Sequence, residues 1–249
     1  MADRLTRMVR AQNEFVANAS HQLRTPLTGL RLRLESASLR AEDPDLKRDL
    51  VAGELETERL AKLLSNLLRL AQDGQPLTTA TSIALAGVAE RAADRWRDQA
   101  ELDGHAIELD GEGEPHVRAS AGDLDTMVDN LVENALNYTA PDTPIRIEWG
   151  AEAGDAFIAV LDSGAGVDAE EAERVFDRFY RGSASRGGVV PGTGLGLAIV
   201  DALADRWGAR AALTGRPGGG TRAELRFPAS AMPAPAAASD PAATPTVTP

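Results

Sequence analysis

Apolar residues of the first seventy positions recur every three or four residues, with one interruption. This spacing predicts a single amphipathic helix over 3–40. Asp43 and Pro44 then fit the N-cap and first position of a second helix, which ends near Asp73. Two such helices form a hairpin, and pairing two hairpins into a four-helix bundle would bury both stripes. We therefore expect a homodimer; the alternative is docking of the hairpin on the rest of its own chain.

The pattern changes after residue 83, where helical and strand-like segments are mixed without simple βαβ alternation. This order favours an α+β sandwich, with helices layered on one face of a mixed sheet. The Ala- and Pro-rich segment 229–249 is predicted to be disordered. The predicted helices are 84–102, 121–138, 168–178 and 195–207, and the predicted strands are 145–149, 156–161, 209–214 and 221–227. The predicted domains are 1–75 and 76–228, followed by the tail.

Composition narrows the possible functions. The formal net charge of −12 argues against nucleic-acid binding, which requires a basic surface to displace counterions from phosphates. The absence of cysteine excludes disulfides and cysteine-based metal sites. No stretch approaches the roughly 20 apolar residues of a membrane-spanning helix, so we expect the given chain to be soluble.

His21 lies off the apolar stripe of the first helix. It is about 200° around the helix from Ala19 and from Leu23, so we expect its ring to face away from the bundle core. Thr25 follows one turn later on the same face, and Pro26 leaves a carbonyl beside the histidine without its helical donor. A neutral imidazole is a good nucleophile at pH 7. An ordinary surface histidine is the alternative.

The stretch SHQLRTPLTGL around His21 resembles the H-box of two-component sensor histidine kinases. The resemblance implies that His21 attacks the γ-phosphate of ATP and passes the phosphoryl group to an aspartate of a response regulator. It also implies that the hairpin is the dimerisation and phosphotransfer domain. Gln22 stands where the family usually has an acidic residue and cannot accept a proton, which predicts slower transfer. Thr25 matches the position linked to dephosphorylation of the partner, so the resemblance implies a phosphatase activity as well.

Asn130 and Asn134 share one face of the helix that contains DNLVENALNY. Neutral amide oxygens can ligate Mg²⁺ together with ATP phosphates and water, although an asparagine pair is also an ordinary polar helix face. The stretch resembles the N-box of the GHKL ATPases, a superfamily that includes gyrase, MutL, heat-shock chaperones and histidine kinases.

Within this N-box resemblance, Asn130 stands where hydrolysing relatives carry a water-activating glutamate, which favours transfer to histidine over hydrolysis. We expect the nearby Glu133 to occupy a different face of the helix. Tyr138 matches a position that packs near adenine. Asn137 replaces a lysine that often contacts phosphate in the family, so we expect one charge contact to be missing.

DSGAGV follows a predicted strand and resembles the G1 box, although such a sequence alone is most often a plain turn. Asp162 can accept a hydrogen bond from the adenine amino group, and Gly164 and Gly166 allow the backbone to approach the base closely.

VFDRFYRG resembles the F-box, in which Phe179 would pack the base of a lid and Arg181 would reach phosphates or remain solvated. GTGLGLAIVDAL resembles the G2 box, whose glycines open a helix with free amides for phosphates. The small residues of 182–192 suit a lid that closes over ATP. The G2 nucleotide-binding residues are predicted to be Gly192, Thr193, Gly194, Leu195, Gly196 and Leu197.

Five motifs in this order predict the autophosphorylating core of a histidine kinase that uses ATP and Mg²⁺. Gln22 and Asn137 keep open a degenerate kinase that acts only as a nucleotide-binding or dimerisation module. A gyrase-like ATPase is a further alternative, disfavoured by Asn130. In the resembling family, membrane helices usually precede this core. We therefore expect the chain to be the cytoplasmic part of an inner-membrane receptor, with membrane attachment only through upstream segments.

Overall fold

The computed structural model describes residues 26–71, 80–182 and 193–229 of the 249-residue chain. Six helices and seven strands lie within these ranges. The helices are α1 (26–38 in its described part), α2 (Pro44–Ala71), α3 (Leu85–Leu102), α4 (Ala121–Tyr138), α5 (Ala169–Arg174) and α6 (Gly196–Arg206). The strands are β1 (Thr81–Ala84), β2 (Ile107–Gly111), β3 (His116–Ala119), β4 (Ile145–Glu152), β5 (Asp155–Leu161), β6 (Arg210–Gly215) and β7 (Thr221–Phe227).

Helices α1 and α2 pack as the predicted hairpin. Gly53 of α2 leaves room for Leu34 of α1, whose methyl carbon lies 3.5 Å from the position a Cβ of that glycine would take. Asp43 caps α2, because its Oδ1 accepts a hydrogen bond of 2.9 Å from the amide of Asp45. About half of the surface of several large apolar side chains of the hairpin stays exposed. These include Leu30 (46%), Leu46 (50%) and Leu60 (45%).

The second half of the chain forms a mixed five-stranded sheet in the order β2-β4-β5-β7-β6. Strands β2 and β4 are parallel, and the other pairs are antiparallel. A separate two-stranded antiparallel sheet joins β1 and β3. The side chains of β7 alternate strictly between buried and half-buried, so one face of the sheet is covered and the other is open. The predicted α+β sandwich is therefore confirmed.

Helices α3, α4 and α6 cover the apolar face of the sheet and close the core. Helix α2 contacts α6, and its Leu63 packs against the edge of this core. Within the described parts of the chain, every helix is too short or too polar to cross a lipid bilayer. Large side chains that are fully buried in the core include Leu124, Met127, Ile147, Ile158, Leu195, Ile199, Leu225 and Phe227.

The open face of the sheet carries a ladder of alternating charges. Arg222 pairs with Glu148 on one side and with Glu224 on the other, at 2.9 Å for the second pair. Arg226 pairs with Glu224 at 2.7 Å and with Glu152 at 2.9 Å. These charges keep the solvent-facing side of the strands polar.

Several element predictions need correction. The helix predicted over 168–178 ends at Arg174, because the chain then turns so that Phe179 adopts a left-handed φ of 64° and donates its N–H to the Gly194 carbonyl at 2.8 Å. Strands β1, β2 and β3 were not predicted, since they are only four or five residues long and have few buried positions. The tail at 230–249 and the link at 72–79 lie outside the described residues.

Candidate functional site

A cavity of about 980 Å³ opens between α4, the turn after β5 and the start of α6. Its volume lies at the upper end of the range of about 300–1,000 Å³ that small-molecule sites occupy. Eleven of the predicted nucleotide-binding residues line it. They are Asn130, Asn134, Asn137, Tyr138, Asp162, Gly166, Arg181, Thr193, Gly194, Gly196 and Leu197.

The polar face of α4 forms one wall of the cavity. Asn130 and Asn134 line it together, as their spacing of four predicts. Asn130 donates from Nδ2 to the Thr126 carbonyl at 2.8 Å, which turns its Oδ1 toward Gly196 at the start of α6. The structure corrects one expectation: Glu133 also lines the cavity, because positions three apart on a helix share a face.

Asp162 stands at the end of β5 with only 5% of its surface exposed. Its Oδ1 accepts two backbone hydrogen bonds, from Gly164 N–H at 2.8 Å and from Thr221 N–H at 3.1 Å. The backbone of Asp162 is held as well, since its N–H donates to the Thr221 carbonyl at 3.0 Å. The carboxyl group is therefore fixed in the cavity wall by two separate segments of chain.

Opposing influences act on the pKa of Asp162. Burial raises this pKa above its ordinary value, because desolvation penalises the carboxylate. The amides of Gly164 and Thr221, the Thr221 hydroxyl and the charge of Arg216 all act to lower it. The net result is a raised pKa and a buried acid that is costly to ionise. A ligand that donates a hydrogen bond to the carboxylate would stabilise its charged form.

Glycines of the turn after β5 allow this close packing. A Cβ on Gly164 would collide with the Tyr138 carbonyl oxygen at the end of α4. Gly166 has a φ of 79°, and a Cβ there would come within 3.2 Å of the Gly220 carbonyl oxygen. Both positions therefore exclude a side chain, as the predicted close approach of the backbone requires.

The two segments that flank residues 183–192 meet beside the cavity. Gly194 has a φ of 68°, and a Cβ there would lie 2.8 Å from the backbone of Phe179. Thr193 and Gly194 lead into α6, whose N-cap residue Leu195 makes no side-chain hydrogen bond to the helix. The first amides of α6 have no carbonyl partners within the helix and so suit an anion.

Seven predicted site residues are not placed in the cavity wall. Gly164, Leu195 and Phe179 are not among the described residues that line the cavity; Leu195 is fully buried, and Phe179 is 61% exposed. The others, His21, Gln22, Thr25 and Gly192, lie outside the described residues.

Part of the cavity wall was not predicted from the sequence. Trp96 and Gln99 of α3 and Leu55 and Glu56 of α2 line it, although no motif marks either helix face. Thr221 also lines it and binds Asp162. The run of three glycines directly before Thr221 was the available signal, because such a run marks a tight turn where backbones meet.

A buried carboxylate, a row of side-chain amides and a helix N-terminus thus share one cavity in an α+β sandwich. These groups suit a ligand with a hydrogen-bonding ring at one end and phosphates at the other. Fold and site together define a protein of the GHKL ATPase class.

Comparison with protein families identifies both halves of the chain. Residues 119–231 match the histidine kinase-, DNA gyrase B- and HSP90-like ATPase family. Residues 11–76 match the His Kinase A (phospho-acceptor) domain. The chain therefore belongs to the two-component sensor histidine kinases.

Individual relatives agree with this assignment. The chain is 34% identical to the phosphate regulon sensor protein PhoR of Pseudomonas aeruginosa, over 90% of this chain and 52% of the relative. It is 32% identical to the sensor-like histidine kinase SenX3 of Mycolicibacterium smegmatis, over 89% of this chain and 59% of the relative. The chain thus spans about half the length of these curated relatives.

A solved structure of full-length ShkA in complex with AMPPNP shares the fold, with a TM-score of 0.70 and 24% identity. The match covers 87% of this chain and 46% of ShkA.

Proposed function

We propose that this chain binds ATP in the cavity and transfers its γ-phosphoryl group to His21. The observation that carries the proposal is the buried Asp162, held by two backbone amides in the wall of a 980 Å³ cavity that also contains the N-box asparagines. The family assignment supports the same reaction class, and ShkA, which shares the fold, was solved with an ATP analogue.

Each wall of the cavity suits a different part of the nucleotide. Asp162 would accept a hydrogen bond from the adenine amino group, and Tyr138 would pack near the ring. The amides at the start of α6 and the Arg181 guanidinium would face the phosphates. Asn134 and Asn130 would hold Mg²⁺ jointly with phosphate oxygens, because neutral amide oxygens suit that ion when the substrate supplies the negative charge.

The transfer step forms one bond and breaks another. A ring nitrogen of His21 attacks the γ-phosphorus in line with the bond to the bridging oxygen, and ADP leaves with the electron pair of that bond. The imidazole then loses its N–H proton. Gln22 accepts a hydrogen bond but not a proton, so this proton would pass to water. Positioning and charge stabilisation supply most of the rate in such reactions.

The hairpin would form the dimer and present His21. Leu30 of α1 and Leu46 and Leu60 of α2 are half-exposed, and a second hairpin would cover them. We further propose a response regulator as the acceptor of the phosphoryl group, with Thr25 serving its dephosphorylation. The domain limits proposed for these roles remain 1–75 and 76–228.

Nucleotide affinity tests the site directly. The chain should bind Mg·ATP more tightly than Mg·GTP, because guanine presents a carbonyl oxygen rather than an amino group to Asp162. Asp162→Asn should weaken ATP binding roughly 10- to 100-fold, the worth of a hydrogen bond to a charged group. Asp110→Asn, on the exposed end of β2, is the matched control and should bind normally. Equal binding of ATP by wild type and Asp162→Asn in calorimetric titrations would contradict the proposed site.

A further inference from the structure

The hairpin turn between β6 and β7 packs directly against the turn that follows Asp162. A Cβ on Gly220 would collide with the Asp162 carbonyl oxygen, so the two backbones touch there. Gly218, Gly219 and Gly220 all have positive φ values of 90°, 102° and 89°. Such φ values are adopted mainly by glycine. Because glycine has no Cβ, the backbone of this turn can approach the site closely.

Arg216 is the first residue of this turn and joins it to Asp162. Its Nη1 donates to the Asp162 carbonyl oxygen at 2.7 Å. Its own backbone is fixed by the turn, because its N–H donates to the Gly220 carbonyl at 2.9 Å and its carbonyl accepts from Gly219 N–H at 3.1 Å. The side chain is half-buried and does not line the cavity, so it stands behind Asp162 rather than beside a ligand.

We propose that Arg216 is a positioning residue: its guanidinium holds Asp162 in place for nucleotide binding through the Asp162 carbonyl oxygen, and it places a positive charge near the carboxylate. This inference rests on the proposed function, since it assumes that Asp162 contacts the nucleotide. Arg216 lies outside the five sequence motifs.

The chemistry of a guanidinium suits both parts of this role. It stays protonated throughout the accessible pH range, and it donates from a rigid planar group. Among the described residues, no carboxylate lies within ion-pair distance of Arg216, so its charge is not shared with a closer acid. That charge opposes the desolvation that raises the pKa of Asp162.

Other titratable groups share the cavity and must be separated from this effect. Because they are the same in wild type and in an Arg216 variant, the difference between the two pH profiles isolates the contribution of Arg216. Besides Asp162, the titratable groups that line the cavity are Glu56 of α2, Asp103 at the C-cap of α3, Glu133 and Tyr138 of α4, Glu171 of α5, Tyr180 and Arg181. On the open face of the sheet, Arg222 of β7 and Arg146 of β4 pair with carboxylates.

The test is the dissociation constant of Mg·ATP measured against pH for the whole chain. In Arg216→Gln, binding at pH 7.5 should be roughly three- to tenfold weaker, since a partly exposed hydrogen bond from a charged donor is lost. As the pH falls, Asp162 takes up a proton and binding weakens. Without Arg216 the pKa of Asp162 rises further, so this loss should begin at a higher pH than in wild type.

Two further variants sharpen the result. Arg216→Lys keeps the charge and should return the pH midpoint close to that of wild type. If circular dichroism shows that Arg216→Gln does not fold, Arg216→Lys is compared with wild type instead. Arg210→Gln removes an exposed arginine from the same hairpin and should leave both affinity and midpoint unchanged.

The outcomes separate the inference from the proposed function. If wild type binds ATP but Arg216→Gln shows the same affinity and the same midpoint, the positioning role is overturned while the nucleotide site stands. If Arg216→Lys shifts the midpoint as far as Arg216→Gln does, the charge is not what matters and the inference is overturned. If wild type binds no nucleotide, the proposed function fails and this inference fails with it.

Discussion

Two large surfaces of this chain face solvent, and they are built from opposite kinds of residue. The open face of the sheet carries carboxylates and guanidiniums that satisfy one another, with Glu224 placed between Arg222 and Arg226. The hairpin instead leaves leucines half-exposed along α1 and α2, such as Leu30 and Leu46. The sheet face needs no further covering, whereas the hairpin stripe leaves apolar surface that a second chain could bury.

The contrast between these surfaces fits different roles for the two parts of the chain. The part of the chain that forms most of the cavity wall closes its own core with α3, α4 and α6. The hairpin would complete its core only with a partner, which would make dimerisation part of its folding. Variants that change one of the two surfaces, or Asp162, should leave the other surface unaffected.

The largest effect is expected at the hairpin stripe. The double variant Leu30→Ala/Leu46→Ala should weaken dimerisation by about 3–6 kcal/mol, because each dimer would lose four leucines that have about half of their surface left to bury. Sedimentation equilibrium over a range of concentrations measures the dissociation constant.

A matched control for this variant lies on the same helix. Leu32 is 56% exposed but sits on the opposite side of α1 from the stripe, so Leu32→Ala should leave the dimer intact. Equal weakening by both changes, or a monomeric wild type, would remove the contrast between the two surfaces.

A smaller effect is expected on the sheet face. Glu224→Gln should lower the free energy of unfolding by about 1–2 kcal/mol, because both arginines lose a charge-assisted hydrogen bond yet keep Glu148 or Glu152. Dimerisation should not change. Denaturant unfolding at low and high salt measures the loss, and Glu90→Gln on the exposed face of α3 is the control.

The pH dependence of that loss has a definite sign. Burial acts to raise the pKa of Glu224, but hydrogen bonds from Arg226 and Arg222 outweigh it and hold the pKa below its ordinary value. Its stabilisation is therefore present above the ordinary glutamate pKa of about 4.3 and is lost as the pH falls through the lower folded value. The difference in stability between wild type and Glu224→Gln should therefore begin to shrink as the pH falls below the ordinary value and should close only below the lowered pKa of folded Glu224. A difference in stability between wild type and Glu224→Gln that stays constant in acid would contradict the stabilising role of the charged Glu224.

The smallest effect on stability is expected at Asp162, although its effect on binding is large. Because the folded pKa is raised, the ionised carboxylate costs stability, in full above that pKa and not at all below the ordinary value. Asp162→Asn keeps an oxygen that accepts from Gly164 and Thr221. Without nucleotide, Asp162→Asn should be as stable as wild type at pH 7 or more stable by up to about 0.5 kcal/mol. Any gain should disappear in acid. A clear loss of stability would mean that Asp162 serves the fold rather than the site.

Local signals in the sequence predicted the helices and the cavity wall well. Helix caps and apolar spacing act over a few residues, so Asp43 and the α4 face could be predicted directly, whereas the role of Asp162 was predicted from the resemblance of DSGAGV to the G1 box. The sheet class followed from the order of its elements, since helices and strands that do not alternate cannot form simple βαβ units.

Features that depend on distant contacts could not be predicted. The pairing of Arg216 with Asp162 joins residues 54 positions apart, and nothing near Arg216 in the sequence indicates it. The turn that follows α5 is held by the hydrogen bond from Phe179 N–H to the Gly194 carbonyl, across residues 183–192. Strands β2 and β3 are too short for an alternating pattern, and β2 is an edge strand that pairs with β4 alone.

Phosphorylation of His21 is the central claim, and labelling with γ-labelled ATP and Mg²⁺ tests it most directly. The whole chain should acquire acid-labile label that is absent in His21→Ala and retained in His116→Ala, whose histidine lies on β3. Label that persists in His21→Ala, or free phosphate released without labelled protein, would contradict the transfer proposed here.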